Sequence, residues 1–326
     1  MGYVFVMSHA SDIDGVGSAA LVKRKYALGQ DRMFFADYSK ESLEYVDSRL
    51  EKHYGKGMTL FVADLGVNEG LVSTYKKILA KVASGGGKTY WFDHHPWDAK
   101  AIKELVPLCE VAIVGENRLF CATEITRREL GLSDPFSKKF ASIVHYSDFN
   151  LTPKSSSMKR LIGHYALSIT SYSTSHSRTY LTSRLRHMAD VISAGKLEDR
   201  RVELDAERFR KTNEERVRRM VKDLYVRKDV AVGFSKHVQS TYGCGAVIDA
   251  SGKKIGIYVN VASGKGHIRS TGPDISGLAS SLGGGGHPRA AGFNINSVKF
   301  GKFRTQKDRN RFADFMQESV EKLGVK

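Results

Sequence analysis

Residues 91–96 read WFDHHP, and Asp93, His94 and His95 directly follow the apolar run that ends at Phe92. Polar residues that begin where an apolar run stops are typical of the carboxyl end of a strand, where open α/β sheets place their ligands. Neutral imidazole is a common ligand of divalent transition metals. Adjacent histidines also occur by chance, so the tripeptide alone leaves a purely structural role open.

Three further acidic clusters accompany this motif, in residues 9–18, 62–66 and 145–148. They contribute one histidine and four aspartates, namely His9, Asp12, Asp14, Asp64 and Asp148. All but Asp148 come just after a run rich in β-branched or aromatic residues. Because the carboxyl ends of parallel strands meet at one edge of a sheet, we expect these side chains to converge with the Asp-His-His motif. A surface-charge interpretation is open for each aspartate singly, but it does not explain their shared position.

The N-terminal part of the chain alternates short apolar runs with helical patterns. The runs predict strands at 3–8, 32–37, 58–63, 88–92 and 111–114, with helices between them such as 17–28 and 39–53. This alternation predicts a parallel sheet with helices on both faces. Residues 121–147 are also predicted to be helical, and the charged stretch 195–227 predicts a long, solvated helix.

The last third of the chain changes character. It predicts strands at 230–234, 245–248, 255–261, 267–270 and near 292–295, a helix at 275–282, and a final amphipathic helix at 306–323. A length of 326 residues is enough for two domains with a core each. The sequence therefore predicts an α/β protein with a parallel-sheet domain (1–195), a helical linker (196–228) and a smaller α/β domain (229–326).

Residues 283–293 read GGGGHPRAAGF. Four glycines allow a backbone to wrap a ligand and to expose N–H groups to an anion. His287 and Arg289 would add donors beside them, and Arg269 has the fork of donors that suits phosphate. A flexible linker is the alternative interpretation of the glycines, although the compact segment that follows does not have the composition of a linker.

With these motifs in this order, the chain resembles the DHH phosphoesterase superfamily with its associated C-terminal domain, as in RecJ-type exonucleases and the shorter nano-RNase branch. The resemblance extends from His9 to Phe293, and Ser11 departs from it where many members have proline. It implies a catalytic N-terminal domain and a C-terminal domain that binds substrate. The substrate-binding residues would be Arg269, Gly284, Gly285, Gly286, His287 and Arg289.

The resemblance also implies a metal site with two divalent ions and Asp64 as their shared ligand. One ion would have His9, Asp12 and Asp64 as ligands, and the other would have Asp14, Asp64, His94 and Asp148. Mixed carboxylate and imidazole ligation suits manganese, which is the usual metal of the family, with magnesium or cobalt as alternatives.

Two residues of the motif would act without binding metal. His95 would face the reacting phosphate, and Asp93 would orient a neighbouring histidine, both counted as catalytic. A simple strand-end cap is the alternative for Asp93. His145 could be a further ligand, but we interpret it as a structural histidine.

The formal charge of +16 is unevenly distributed. Residues 1–150 carry 19 basic and 19 acidic side chains, whereas 151–326 carry 32 and 16. This excess favours a polyanionic partner such as nucleic acid, against a generic basic surface. We expect no transmembrane segment and no signal peptide. The odd set of Cys109, Cys121 and Cys244 indicates reduced thiols, and we expect a cytoplasmic protein without membrane partners.

We therefore expect a metal-dependent hydrolase of phosphoester bonds, namely a manganese phosphodiesterase that releases mononucleotides from single-stranded or very short RNA or DNA. The nearest alternative is a small-nucleotide phosphoesterase that acts on phosphoadenosine phosphate or on linear or cyclic dinucleotides. A family II pyrophosphatase fits less well because its C-terminal domain lacks the glycine-histidine pattern. A non-catalytic nucleic-acid-binding scaffold is the alternative of another class. A homodimer and partners from nucleic-acid processing remain open.

Overall fold

A computed structural model of the chain describes residues 3–55, 57–115, 119–173, 177–295 and 303–325. It divides into two compact units, Met1–Ala206 and Glu207–Lys326. The boundary lies inside one helix, within the stretch predicted as a linker. The division into domains 1–195 and 229–326 with a linker at 196–228 therefore stays a prediction. These ranges include positions outside the described residues.

The first unit contains a five-stranded parallel sheet. Its strands are β1 (Val4–His9), β2 (Met33–Ala36), β3 (Thr59–Ala63), β4 (Lys88–Phe92) and β5 (Val111–Ile113). They lie in the order β2-β1-β3-β4-β5, and every pair is parallel. This confirms the predicted sheet. The connections that follow β1 and β3 run toward opposite edges of the sheet. A doubly wound sheet opens a crevice for ligands between two such strands.

Helices cover both faces of this sheet. They are α1 (Ile13–Tyr26), α2 (Lys40–Leu50), α3 (Val72–Ser84), α4 (Ala99–Leu105), α5 (Ala122–Glu129), α6 (Pro135–Asp148), α7 (Ser156–Ser173) and α8 (Arg178–Ser193), followed by α9 (Arg200–Lys222). Val6 faces a core formed with α1 and α5–α8, whereas Phe5 and Met7 face a core formed with α2–α4. The strands are apolar on both sides because both faces are buried.

The predicted helix 121–147 is two helices, which corrects that prediction. The first ends in a left-handed Gly131 at φ 65°, and the N–H of Leu132 donates to the Arg127 carbonyl over 3.0 Å. This is the bonding pattern by which glycine commonly ends a helix. The next helix begins after Asp134, whose side chain accepts from the N–H of Ser137, with Pro135 at its first position.

The long charged helix α9 is only partly solvated, which corrects the second helical prediction. Val202 belongs to the core of the first unit, and Met220 belongs to the core of the second. Asn213 on the same helix is 1% exposed. The buried apolar residues of α9 are widely spaced among polar ones, so the sequence did not indicate a buried face.

The second unit contains a six-stranded mixed sheet. Its elements are β6 (Tyr225–Val226), β7 (Val230–Ser235), α10 (Ser240–Ser251), β8 (Ile255–Asn260), β9 (Lys265–Ser270), α11 (Ser276–Ser281), β10 (Gly285–His287), β11 (Ala290–Asn294) and α12 (Gln306–Lys322). The order is β10-β11-β9-β8-β7-β6, and β7 and β8 form the parallel pair. α10 packs on one face, and α11 and α12 pack on the other.

The predicted strand 245–248 was wrong, because these residues lie inside α10. A short apolar run cannot be assigned to strand or buried helix by periodicity alone. The parallel pairing of β7 with β8 requires a crossover connection, and α10 supplies it. The other predicted strands of this region and the final helix are found within a few residues of their predicted bounds.

Cys109, Cys121 and Cys244 are free thiols, as predicted. Among the described residues, no helix combines the length and the apolar character needed to cross a membrane.

Candidate metal centre

The acidic clusters meet at the carboxyl edge of the parallel sheet. His9 is the last residue of β1, Asp64 follows β3, and Asp93 follows β4. Because β1, β3 and β4 are neighbours in the sheet, their ends place these residues side by side. The convergence expected from the strand-end pattern is therefore present.

One group of potential ligands surrounds His9. Its Nδ1 lies 3.0 Å from Oδ2 of Asp12 and 3.5 Å from Oδ2 of Asp64. The three residues offer ligand atoms that all lie within 4.8 Å of one another. This is the set that the resemblance implied for one ion.

A second group surrounds His94, whose side chain is 1% exposed. Its Nε2 lies 3.7 Å from Oδ2 of Asp14, 3.5 Å from Oδ1 of Asp64 and 3.7 Å from Oδ2 of Asp148. Asp148 is the last residue of α6, and it reaches the group from outside the sheet. Asp64 belongs to both groups, with one oxygen near each histidine.

The carboxylates are crowded enough to disturb their protonation. Burial, and then the charges of Asp64 and Asp148, raise the pKa of Asp14 well above its usual range. Burial and the charge of Asp12 also raise the pKa of Asp64. Burial and like-charge repulsion both favour the neutral acid. A cation placed among these groups would relieve both effects.

For the histidines, burial and the neighbouring carboxylates change the pKa in opposite directions. Burial lowers the pKa of His9, but Asp12 and Asp64 outweigh it and raise the pKa to about 10. Burial acts in the same way on His94, and contacts with Asp64, Asp148 and Asp14 raise its pKa well above the usual range. Without metal, protons on the imidazoles therefore take the place of cations between the carboxylates.

Asp14 is held in position by the start of a distant helix. The N–H of Ala122 donates to its Oδ2 over 2.8 Å, and the N–H of Thr123 donates to its Oδ1 over 2.7 Å. The first N–H groups of a helix lack partners within the helix and favour an anion. The hydroxyl of Thr123 also donates to the backbone carbonyl of Asp14 over 2.9 Å. α5 thus fixes a potential ligand 108 residues away in sequence.

Asp12 has a structural role beside its place in the His9 group. It is the N-cap of α1, and its Oδ1 accepts from the N–H groups of Asp14 and Gly15 at 3.1 Å. Gly15 lies so close to β1 that an added Cβ would be 2.2 Å from the carbonyl oxygen of His9. The glycine is therefore required by the close approach of helix and strand.

The backbone of Asp64 is left-handed, with φ at 54°. This conformation is uncommon outside glycine, asparagine and aspartate, and it recurs at functional sites. It turns the side chain between His9 and His94. Asp64 is 1% exposed, and its Oδ2 makes no hydrogen bond within the described part of the chain. This oxygen lies 3.5 Å from Nδ1 of His9, and a buried carboxylate oxygen in such a place fits a position that receives a cation.

Asp93 and His95 form a separate pair beside the two groups. Oδ1 of Asp93 lies 2.7 Å from Nδ1 of His95, and Oδ2 of Asp93 accepts from the indole N–H of Trp97 over 2.8 Å. Burial raises the pKa of Asp93, but His95 and Trp97 outweigh it and lower the pKa below its usual range. Asp93 is thus an ionised partner for His95 and not simply a strand-end cap. The side chain of His95 is 29% exposed, in contrast to that of His94.

His145 contacts Glu124, not the aspartates of the centre. Its Nδ1 lies 2.7 Å from Oε2 of Glu124, which also accepts from the N–H of Cys121 at the start of α5. This geometry agrees with a structural histidine.

The predicted substrate-binding residues lie together in the second unit. Ala290 pairs with both Arg269 and His287, so the two side chains share one face of the sheet across β11. Arg289 is exposed in the turn between β10 and β11. The guanidinium of Arg269 donates to the hydroxyl of Thr241 over 3.4 Å.

The glycine run contributes to the sheet of the second unit. Gly285 and Gly286 belong to β10 and pair with β11. An added Cβ at Gly284 would lie 2.0 Å from the carbonyl oxygen of Gly292, and Gly286 has φ at 140°. Packing and backbone geometry require these two glycines, whereas a Cβ at Gly285 would meet nothing.

Sequence reasoning missed three features of the centre. Trp97 and the N–H groups of Ala122 and Thr123 hold site carboxylates. Tyr38 lies beside the centre, with its ring centroid 4.6 Å from that of His9. Two signals in the sequence could have pointed to these contacts. They are an aromatic residue two positions after the motif and the start of a helix after β5. Neither signal specifies which carboxylate is the partner.

Comparisons with known proteins bear on the fold. No protein-family model matches the chain, and no curated protein matches it at a significant level. The chain matches the structure of RecJ from Thermus thermophilus in complex with Mn²⁺, with a TM-score of 0.53, 14% identity, and coverage of 97% of this chain and 52% of RecJ. It also matches the pGpG-specific phosphodiesterase PggH from Vibrio cholerae, with a TM-score of 0.51, 15% identity, and coverage of 98% and 99%.

These similarities establish the fold. The chain spans about half the length of the RecJ chain and nearly all of PggH. The mixed α/β architecture with a parallel five-stranded sheet and a second mixed sheet is the one that the resemblance implied.

Proposed function

We propose that the protein is a two-metal phosphodiesterase of the DHH superfamily, and that it releases mononucleotides from short single-stranded RNA or DNA. The observation that carries this proposal is the position of Asp64, which contributes one oxygen toward His9 and the other toward His94. A carboxylate that two ligand groups share is the feature that a pair of neighbouring ions needs.

The residues present suit divalent ions. His9, Asp12 and Asp64 would hold one, and Asp14, Asp64, His94 and Asp148 would hold the other. Oxygen and imidazole donors together suit Mn²⁺, and Mg²⁺ or Co²⁺ are alternatives. When bound, such ions would neutralise the carboxylates and the phosphate and would lower the pKa of a water nucleophile.

The protein's own side chains would position the reacting phosphate. His95 contacts Asp93 through Nδ1, and we propose that its Nε2 contacts a phosphate oxygen. Because His94 is buried and His95 is partly exposed, the adjacent histidines are suited to different tasks, the first to ligation and the second to substrate.

The second unit is suited to a polyanion. Residues 207–326 carry 23 basic and 11 acidic side chains. We propose that Arg269, His287, Arg289 and the glycines of β10 contact the phosphates nearest to the reacting bond. On α9, Lys211 and Arg218 are exposed and would add contacts to longer strands only. Arg216 is less suited, because its guanidinium donates to the carbonyl of His237 over 2.9 Å.

A small-nucleotide phosphoesterase is the second candidate. The chain matches PggH over nearly the full length of both proteins, whereas it matches only half of RecJ. The excess of basic residues in the second unit favours the longer substrate.

The test is a digestion of end-labelled RNA and DNA of graded lengths with Mn²⁺, with Asp64→Asn as the inactive control. Mononucleotides released from every length would support the first candidate. Cleavage of dinucleotides alone would support the second. Bound metal without any cleavage would indicate a non-catalytic scaffold, and the absence of both would refute the proposal. The same protein preparation would show whether it is a homodimer. A cytoplasmic location stays a prediction from the free cysteines.

A further inference from the structure

Trp97 makes a buried hydrogen bond that has no role in the reaction proposed above. Its side chain is almost buried at 7% exposure, and its indole N–H donates to Oδ2 of Asp93 over 2.8 Å. Asp93 is 0% exposed, and its other oxygen lies 2.7 Å from Nδ1 of His95. The buried carboxylate therefore has a different donor on each oxygen.

Two donors fix this carboxylate more completely than one. The terminal torsion of an aspartate is broad and roughly two-fold, so a single contact with His95 would leave the plane of the carboxylate free to turn. The indole N–H fixes the second oxygen and so fixes that plane. An indole N–H carries no charge and cannot be deprotonated near neutral pH, so this contact stays the same over the working range.

The indole itself is held firmly. Its ring packs edge-on against Trp91, with centroids 4.6 Å apart, and Trp91 packs in turn against Tyr75 at 4.9 Å. Trp91 and Tyr75 are both 0% exposed. Pro96 restricts the backbone just before Trp97, and Asp98 caps α4 just after it. The donor is thus anchored in the core behind the sheet edge.

We infer that Trp97 is a positioning residue, which holds the Asp93 carboxylate in the one orientation that presents His95 to the reacting phosphate. This inference rests on the proposed function, because it assigns Trp97 to the same reaction. Trp97 acts on His95 through Asp93 and not directly. Hydrogen-bond partners behind metal ligands typically contribute about 10- to 100-fold to affinity or activity, and we expect an effect of the same order here.

The chain offers a matched control for this inference. Trp91 is also a buried tryptophan whose indole N–H makes one hydrogen bond, in this case to the carbonyl of Leu65 over 3.1 Å. Replacing either tryptophan with 3-benzothienylalanine puts sulfur in place of the N–H and keeps the shape of the ring. Trp97→Phe is the genetically encoded version, which also removes part of the ring.

At position 97 we expect the isostere to lower kcat on a dinucleotide by about 10- to 100-fold, with KM and the Kd for Mn²⁺ close to wild type. At position 91 it should leave kcat close to wild type. In an Asp93→Ala background the change at position 97 should cause no further loss, because its partner is already absent. Multiplying losses in the double variant, or equal losses at positions 91 and 97, would overturn the inference.

An independent readout does not require turnover. In protein with ¹⁵N-labelled histidine and Mg²⁺, the signals of the His95 ring report the bond between Nδ1 and Asp93. They should shift in the Trp97 variant and stay unchanged in the Trp91 variant, with a His95→Gln spectrum for assignment. Unchanged signals in the Trp97 variant would overturn the inference. Shifted signals in a protein that hydrolyses no phosphodiester would instead overturn the proposed function and keep the positioning contact.

Discussion

Asp64→Asn is the most direct test of the two-ion centre. Asparagine keeps the size of the side chain and tolerates the left-handed backbone that Asp64 adopts at φ 54°. The change removes a charge whose two oxygens each lie 3.5 Å from a histidine, one from His9 and the other from His94. Asp64→Ala is a poorer test, because this backbone conformation costs alanine roughly 1–2 kcal/mol.

The size of the effect follows from linkage. An ion present at a hundred times its Kd stabilises the folded state by about 2.7 kcal/mol. For a unit the size of Met1–Ala206, each 1 kcal/mol raises Tm by about 2–4 °C. Each bound ion should therefore raise the Tm of wild type by about 5–11 °C. Asp64→Asn should lose most of this shift, since it removes the ligand that both ions share.

Turnover should fall more steeply than stability. A loss of about 4 kcal/mol of charge stabilisation in the transition state lowers kcat by about a thousandfold. The metal-free variant should be at least as stable as metal-free wild type at neutral pH. The reason is that burial and Asp12 raise the pKa of Asp64, so its ionised form opposes folding there.

The measurements are thermal melts with and without Mn²⁺ and initial rates on a dinucleotide, in wild type and Asp64→Asn. A folded variant that keeps both the full Mn²⁺ shift and wild-type turnover would refute the shared-ligand assignment. Asp64→Ala would add the cost of the backbone, and the difference between the two metal-free variants would measure it.

The remaining predictions concern single parts of the proposal. His95→Ala should lower turnover and leave Mn²⁺ binding nearly intact, and equilibrium dialysis of the variant checks the second half. Asp148→Ala should weaken chiefly one ion, so that excess Mn²⁺ restores part of the rate in a titration. Protonated His9 should stabilise the metal-free fold fully below its unfolded pKa of about 6.5, and this contribution should disappear as the pH rises through about 10; urea unfolding at several pH values measures it. Neutralising Lys211 and Arg218 together should weaken the binding of long strands only and lower the salt slope of log affinity by roughly 0.7 per lost contact. Equal slopes for a dinucleotide and a long oligomer in wild type would contradict the last prediction.

The parallel sheet and the convergence of the acidic clusters at its carboxyl edge could be predicted from the residues. Each apolar run had the length of a buried strand, and the polar residue that ended it marked the carboxyl edge of the sheet. His9, Asp64 and Asp93 follow this rule in the structure. Asp148 does not follow a strand, and only the family resemblance pointed to it before the structure placed it at the end of α6.

The errors arose where partners distant in sequence decide the local structure. Residues 245–248 are apolar enough for a strand, yet the parallel pairing of β7 and β8 makes them part of a helix. The glycine run 283–286 was not predicted to contain a strand, yet Gly285 and Gly286 pair with β11. Strand pairing depends on the partner strand, so it cannot be predicted from one short stretch of sequence.

The candidate ligands are held in place by the elements around them. Asp12 is held by the start of α1, Asp14 by the start of α5, and Asp64 by a left-handed turn between two histidines. Each carboxylate is therefore oriented by contacts within the protein. If the proposed ions bind, they would take the place of the protons that His9 and His94 favour between the carboxylates. Binding of the proposed ions would then be coupled to the release of those protons. Asp64, which lies 3.5 Å from each histidine, would affect this coupling at both positions.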